Sequence, residues 1–90
     1  MGLNMLKTLA GTKQAWNDYR YWQRQDKKTL SRITQLISAI RATPFEGIGK
    51  PEMLMGGLSG FWSRRIDDNN RLVYAVDDCR LTIISCRYHH

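Results

Sequence analysis

The chain has 90 residues, of which 42% are hydrophobic and 24% charged, a composition that excludes a disordered or membrane-embedded protein. A chain this short has room for one modest core, so we expect a single domain over residues 1–90. The 14 Lys and Arg residues against 8 Asp and Glu give a net charge of +6, which favours a nucleic acid, an anionic lipid or an acidic protein as partner. A merely soluble basic protein has the same charge, so charge alone does not choose among these partners.

Neither export nor a metal site is predicted. No apolar run approaches the roughly 20 residues of a membrane span, and residues 1–12 lack the features of a signal peptide, so we expect a cytoplasmic protein without membrane contact. Cys79 and Cys86 are separated by roughly 23 Å of extended strand, whereas a disulfide needs α-carbons within about 7 Å, so both are expected to stay reduced. Two thiols outside any zinc-ligand spacing predict neither a metal nor a cofactor.

The first half of the chain predicts one strand and two helices. Residues 4–10 alternate weakly in polarity and predict a strand, and Gly11–Thr12 supplies a break and a helix N-cap. Helical spacing of aromatic residues predicts a helix over residues 13–24, and Asp26 is expected to cap a second helix that ends before Thr43–Pro44. The short break between the helices predicts an antiparallel helical hairpin. The apolar stripe of the second helix consists of Leu30, Ile33, Leu36, Ile37 and Ile40.

The second half predicts a loop and three strands. Residues 45–60 are rich in glycine but lack a phosphate-binding pattern, and they predict a flexible connection. Alternating apolar and β-branched residues predict strands over residues 61–66, 71–76 and from 80 onward, separated by Asp- and Asn-rich turns at 67–70 and 77–78. The predicted fold is therefore α+β: an N-terminal strand, the helical hairpin, and an antiparallel three-stranded meander with one face covered by the helices.

Arginines on these strands and an imidazole at their end suggest a surface that holds and cuts RNA. Metal-independent cleavage by the 2′-hydroxyl requires a base, an acid for the leaving 5′-oxygen and cations for the phosphorane. His89 can supply the acid, since its ordinary pKa lies near neutrality, although its position also suits a surface histidine near a frayed terminus. Glu52 can supply the base and Glu46 is the alternative. His90 is either functional or the beginning of a purification tag.

Several arginines qualify as phosphate ligands. Arg64 and Arg65 must point to opposite faces of a strand, so one of them leaves the site. Arg65 and Arg71 pair directly if the hairpin loop has five residues, but a two-residue turn at Asp68–Asn69 places them on opposite faces. Strand alternation also places Arg87 on the same face as His89. Solvated arginines that protect a sheet edge from aggregation are the alternative interpretation of the whole set.

The aromatic residues have two interpretations. Trp62 and Tyr88 could stack on an unpaired base, or they could belong to the core or an interface. The aromatic residues of the first helix exceed what a small core can bury, which predicts a partner contact such as a homodimer. They are Trp16, Tyr19, Tyr21 and Trp22.

Several motifs beyond about residue 13 carry a resemblance to a known family. They are Trp16-Asn17-Asp18-Tyr19, Tyr21-Trp22, Thr43-Pro44-Phe45-Glu46-Gly47, Gly49-Lys50-Pro51-Glu52, residues 58–66, Arg71-Leu72-Val73-Tyr74 and Arg87-Tyr88-His89. Through these motifs the chain resembles the YoeB/Txe family of RelE-like bacterial toxins, in register and without gaps. The resemblance implies a microbial-RNase-like RelE fold and a ribosome-dependent endoribonuclease that cleaves mRNA in the A site of the 30S subunit. It also implies an acidic YefM-like antitoxin as partner.

Carried over by position, the resemblance implies Glu52 as general base, His89 as general acid, and Arg65 and Arg71 as the phosphate clamp. It therefore predicts that Arg65 and Arg71 converge. The remaining residues near these four are expected to contact the substrate: Lys50, Arg64, Arg87, Tyr88 and His90.

The chain departs from the family pattern at two sites. Met55 stands where the family commonly has a lysine, which implies weaker activity or ribosome affinity, and His90 stands where it usually has a tyrosine, which implies reduced rather than absent cleavage. A non-nucleolytic inhibitor of the same fold, like the gyrase-directed ParE toxins, is the alternative function, and a basic RNA-binding protein without chemistry is a third. The presence of both Glu52 and His89 favours the nuclease.

Overall fold

The computed structural model describes residues 7–55 and 60–88. Within these ranges the chain forms two helices and one five-stranded sheet, in the strand order β1-β5-β4-β3-β2. The β1 strand runs parallel to β5, and all other neighbours are antiparallel. The predicted α+β class is confirmed. The elements are β1 (Thr8–Gly11), α1 (Lys13–Gln25), α2 (Lys27–Ala42), β2 (Glu52–Met53), β3 (Trp62–Arg65), β4 (Arg71–Val76) and β5 (Arg80–Ser85).

Both helices begin at the predicted caps. The Thr12 hydroxyl accepts a hydrogen bond from the Ala15 N–H at 3.0 Å and starts α1. Asp26 then separates the helices alone: its N–H donates to the Trp22 carbonyl at the end of α1, and its carboxylate accepts from the Thr29 N–H and hydroxyl to start α2. The hydrogen bond from the Thr29 hydroxyl is the main cause that lowers the pKa of Asp26. One residue therefore ends the first helix and caps the second.

The core lies between the helices and one face of the sheet. The stripe of α2 is buried at Ile33, Leu36 and Ile40, as its spacing predicts. Ala15 and Trp22 add the buried contribution of α1. The sheet contributes Leu72, Tyr74, Leu81 and Ile83 to the same cluster, and Ile66 after β3 and Cys86 after β5 complete it. No helix in the described part of the chain is long and apolar enough to cross a bilayer.

The β3–β4 hairpin has the register in which Arg65 and Arg71 pair directly, with residues 66–70 as the loop. The Asp67 carboxylate closes this loop, because its Oδ1 accepts hydrogen bonds from the N–H groups of Asn69 and Asn70 at 2.8 Å each. The five-residue alternative is confirmed, and the two-residue turn is excluded.

Two strand predictions were wrong in extent. The predicted loop 45–60 contains β2, which pairs Glu52 with Ser63, so the antiparallel part of the sheet has four strands instead of three. A two-residue strand is too short to show an alternating pattern. The last strand ends at Ser85, because the next N–H donates to the Asp18 carboxylate of α1 instead of a neighbouring strand. The first strand is observed at Thr8–Gly11, and residues 4–6 of its predicted range lie outside the described residues.

Candidate active site

The sheet face opposite the helices gathers three of the four predicted catalytic residues. Directly paired residues of antiparallel strands point to the same side, and side chains alternate along each strand. Glu52 pairs with Ser63, and Arg65, two residues further along β3, pairs with Arg71. Glu52, Arg65 and Arg71 therefore share one face, which we call the open face. The side that packs against the helices is the covered face.

An ion pair joins the predicted base to the predicted clamp on the open face. Arg71 Nη1 lies 3.0 Å from Glu52 Oε1 and also donates to Ser63 Oγ at 3.2 Å. The Glu52 side chain is 62% exposed and the Arg71 side chain 25%. The carboxylate is thus accessible to a substrate, whereas the guanidinium is partly fixed from below by Ser63.

Arg65 contributes both its side chain and its backbone. Its guanidinium, 37% exposed, forms a salt bridge with Asp68 at 2.6 Å, and its N–H donates to the Gly49 carbonyl at 2.6 Å. Gly49 has φ +85°, and a Cβ there would lie 2.8 Å from Leu36 Cδ2, so only glycine fits this close approach. The contact fixes the segment before β2, in which Lys50 is exposed.

Arg64 corrects the prediction that it contacts substrate, because it lies on the covered face with 0% exposure. Its guanidinium donates to the carbonyls of Thr43, Glu46 and Ile48 at 2.6–3.1 Å. Its Nε donates to the Tyr74 hydroxyl at 3.2 Å. Strand alternation requires one of the two adjacent arginines to leave the site, and the loop carbonyls decide which one. Arg64 is therefore a structural residue that fastens the loop leading to Glu52.

The segment after β5 is fixed to α1 through backbone bonds. The Cys86 N–H donates to Asp18 Oδ2 at 2.9 Å, and its carbonyl accepts from Trp22 Nε1 at 2.8 Å. Asp18 is buried, and Gln14 donates to its other oxygen. Burial, reinforced by the nearby Asp18 charge, raises the pKa of the Cys86 thiol to about 12. The aromatic motif of α1 thus supports the chain end, a role that the sequence did not predict.

Of the two residues that follow, Arg87 lies against Tyr21 of α1, and Tyr88 lies against the β3–β4 hairpin. The Arg87 guanidinium carbon lies 3.4 Å from the Tyr21 ring centroid and 4.6 Å from that of Tyr88. The Tyr88 N–H donates to Asn70 Oδ1 at 2.7 Å, and the Tyr88 carbonyl accepts from the Arg71 N–H at 3.0 Å. Since β5 has already ended, strand alternation does not determine the direction of Arg87. These backbone bonds hold Tyr88 beside Arg71.

His89 and His90, the predicted acid and a predicted substrate contact, lie outside the described residues. The structure brings the chain directly before them to the backbone of Arg71. A carboxylate beside two guanidiniums on an accessible face has the groups that a proton transfer and a phosphorane require. Within residues 7–55 and 60–88, no cluster of three or more His, Cys, Asp or Glu side chains could hold a metal ion.

The aromatic residues divide between the core and the surface. Trp62 pairs with Tyr74 on the covered face, and its ring lies 4.9 Å from that of Phe45, so the core interpretation is confirmed for Trp62. Trp16 is 55% exposed and stacks on Tyr19, with ring centroids 5.9 Å apart. Both rings line an apolar groove of about 870 Å³ between β1, α1 and α2. This groove is on the side of the molecule that carries the helices.

Comparisons with known proteins agree with this geometry. The model of the family described as "YoeB-like toxin of bacterial type II toxin-antitoxin system" matches residues 12–90. Toxin YoeB of Escherichia coli is 55% identical over 82 residues, which cover 91% of this chain and 98% of that one. The YoeB dimer from Staphylococcus aureus has a TM-score of 0.89 at 44% identity and covers 94% of this chain and 99% of its own. A heterotetrameric YoeB–YefM toxin–antitoxin complex from Staphylococcus aureus gives 0.86 at 45%, covering 93% and 98%.

Proposed function

The chain belongs to the family of YoeB-like toxins of bacterial type II toxin–antitoxin systems, and from that premise we propose that it inhibits translation as a ribosome-dependent endoribonuclease. The proposed reaction is metal-independent cleavage of mRNA in the ribosomal A site. The observation that carries the proposal is the Glu52–Arg71 pair beside Arg65 on the open face of the sheet. This face combines an accessible base with two cations that point to the same side.

In the proposed mechanism, Glu52 accepts the proton of a ribose 2′-hydroxyl, whose oxygen then attacks the adjacent phosphorus. Arg65 and Arg71 stabilise the negative charge of the phosphorane, for which guanidinium groups are suited because each can bind two oxygens. His89 donates a proton to the leaving 5′-oxygen, and the products are a 2′,3′-cyclic phosphate and a free 5′-hydroxyl. The roles of base and acid are thus given to two different residues, Glu52 and His89.

Substrate binding must release Glu52 from Arg71. Their ion pair is partly exposed, and such pairs contribute only about 0–1 kcal/mol. A phosphate can therefore replace the carboxylate as the ligand of Arg71 at little cost, which leaves Glu52 free to accept the proton. Lys50, Arg87, Tyr88 and His90 remain proposed substrate contacts, and Arg64 does not, because it is buried.

We further propose that an acidic YefM-like antitoxin neutralises the protein in the cytoplasm and that the free protein forms a homodimer. The YoeB of Staphylococcus aureus provides precedents for both assemblies. The net charge of +6 favours an acidic partner, and the exposed Trp16 ring supports a protein contact on the helical side.

The test is primer extension on an mRNA in a purified translation system, which is run once with ribosomes and once without them. Glu52→Gln and His89→Ala should each lower A-site cleavage by about 100-fold or more, the usual contribution of a general base or acid. The matched control is Glu46→Gln, the same change at the chain's other glutamate, which should leave cleavage unchanged. If translation stops while the mRNA stays whole, the protein is a binding inhibitor and the proposal is wrong.

A further inference from the structure

Asn70 is a buried polar residue whose side chain joins two parts of the chain at the edge of the candidate site. It lies at the end of the β3–β4 loop and is 8% exposed. Its Oδ1 accepts the Tyr88 N–H at 2.7 Å. Its Nδ2 donates to Asp67 at 3.0 Å and 3.2 Å from the two carboxylate oxygens. One carboxamide therefore connects the hairpin loop to the end of the chain.

Asp67 determines which way this carboxamide points. A carboxylate can only accept hydrogen bonds, so the Asn70 NH₂ group must face Asp67, and the Asn70 oxygen must then face Tyr88. Asp67 itself is fixed by the N–H groups of Asn69 and Asn70. The acceptor for the Tyr88 N–H is thus oriented by the same loop that connects Arg65 to Arg71.

Tyr88 is bound at both backbone groups by consecutive residues of the hairpin. Asn70 accepts from its N–H, and the Arg71 N–H donates to its carbonyl at 3.0 Å. Tyr88 also has φ 63°, in the left-handed region that residues other than glycine rarely adopt. Such a conformation persists only where surrounding contacts hold it. The two hydrogen bonds are the contacts that hold Tyr88 in this turn of the backbone.

We propose that Asn70 is a positioning residue for the cleavage reaction. By binding the Tyr88 N–H, it determines the backbone position from which His89 reaches the phosphate bound by Arg65 and Arg71. The inference rests on the proposed function, in which His89 is the acid. Asn70 touches neither substrate nor the reacting atoms. Its effect is transmitted through the backbone of Tyr88, which directly precedes the acid.

The experiment exchanges the two partners of the Asp67–Asn70 contact. In Asn70→Asp, two carboxylates face each other and the donor to Asp67 is lost, so the acceptor for Tyr88 is misplaced. In the double variant Asp67→Asn/Asn70→Asp, the new amide can donate to the new carboxylate, which can again accept the Tyr88 N–H. The control is Asp77→Asn, because the Asp77 carboxylate closes the β4–β5 turn in the same way, through the N–H groups of Cys79 and Arg80.

Two quantities are measured on all four proteins: single-turnover cleavage of ribosome-bound mRNA, and hydrogen exchange of the Tyr88 amide in the free protein. Asn70→Asp should cut about 100-fold more slowly at saturating ribosomes, the usual effect of a misplaced catalytic group. Its half-saturating ribosome concentration should stay unchanged. Its Tyr88 amide should exchange faster because the bond that protects it is lost. The double variant should recover both quantities, and Asp77→Asn should match the wild type.

The outcomes separate the inference from the function on which it rests. If the wild type cleaves and Asn70→Asp cleaves at the same saturated rate, the positioning role is overturned and the nuclease stands. If both variants at position 70 cleave slowly although the double variant protects Tyr88, the positioning role is also overturned. If the wild type leaves ribosome-bound mRNA intact, the proposed function is overturned and the inference with it.

Discussion

Arg64 and Arg65 are adjacent on β3 and carry the same side chain, yet they belong to different regions of the molecule. Arg64 lies on the covered face, where it is fully buried and donates to three loop carbonyls and a phenol. Arg65 lies on the open face, where its side chain is 37% exposed and forms one ion pair with Asp68. The pleat of a single strand therefore separates an arginine that organises the fold from one available to a substrate.

Hydrogen bonds on the covered face also position residues of the open face. The Tyr74 hydroxyl accepts from Arg64 Nε and donates to the Pro44 carbonyl at 2.8 Å, so a buried hydrogen-bond network fixes the segment after α2. Burial raises the pKa of Tyr74 despite the opposing effects of the hydrogen bond from Arg64 and of its charge. The same segment continues through Gly49, bonded to the Arg65 N–H, to Glu52. The position of the proposed base thus depends on contacts made on the other side of the sheet.

The largest expected effect comes from breaking the covered face. Arg64→Met removes one donor from each of three carbonyls and from the Tyr74 hydroxyl, although the Glu46 carbonyl still accepts from the Thr43 hydroxyl. Each buried polar group left unpaired costs about 1–3 kcal/mol. We expect the free energy of unfolding to fall by about 4 kcal/mol after partial rehydration of the loop. Urea denaturation followed by circular dichroism measures this change. An unaltered urea midpoint would show that the buried network contributes no stability.

The same substitution at the next residue, Arg65→Met, should affect cleavage more than stability. Arg65→Met removes an exposed ion pair, which contributes about 0–1 kcal/mol to stability, so the urea midpoint should barely move. Cleavage of ribosome-bound mRNA should fall by about 100-fold, because one ligand of the phosphorane is lost. Each variant is thus the control for the other, since both lose one guanidinium from the same strand. Equal losses of stability in the two proteins would contradict the division between the faces.

The sequence predicted that Arg64 and Arg65 lie on opposite faces of the sheet, but not which of them lies on the covered face. Strand alternation requires Arg64 and Arg65 to diverge, and the choice depends on the carbonyls of a loop whose path has no periodic signal. The hairpin register was predicted correctly only with the help of the family resemblance, since the Asp- and Asn-rich turn fits more than one loop length. The β2 strand was missed because Glu52–Met53 has too few residues to alternate.

The strand-like pattern of the last segment was visible in the sequence, but the point at which its backbone leaves the sheet was not. Local pattern continues the last strand from Arg80 to His90, whereas the structure ends it at Ser85 because Asp18 and Trp22 bind the backbone of Cys86. These partners are more than 60 residues away along the chain, so no local window contains the signal. Sequence reasoning was thus most accurate for the two capped helices and least accurate where distant side chains bind backbone groups.

The smallest expected effect concerns the buried thiol on the helical side and appears only at alkaline pH. The pKa of Cys86 is raised from an ordinary value of 9.0 to about 12, mainly by burial, so the folded protein retains this proton where the unfolded chain loses it. A raised pKa stabilises the fold fully below pH 9, and this contribution is lost between about pH 9 and 12. At about pH 10.5 the loss should be on the order of 2 kcal/mol.

Comparison of Cys86→Ala with Cys79→Ala isolates this contribution, since Cys79 is exposed and Cys86 is buried. The free energy of unfolding, measured in urea from neutral pH upward, should fall less steeply above pH 9 in Cys86→Ala than in Cys79→Ala. Lysine and tyrosine titration affects both variants alike and cancels in the difference. Identical slopes would mean that the Cys86 thiol titrates equally in the folded and unfolded chains. The hydrogen bonds of Asp18 and Trp22 with the Cys86 backbone would then not keep this thiol buried against α1 at high pH.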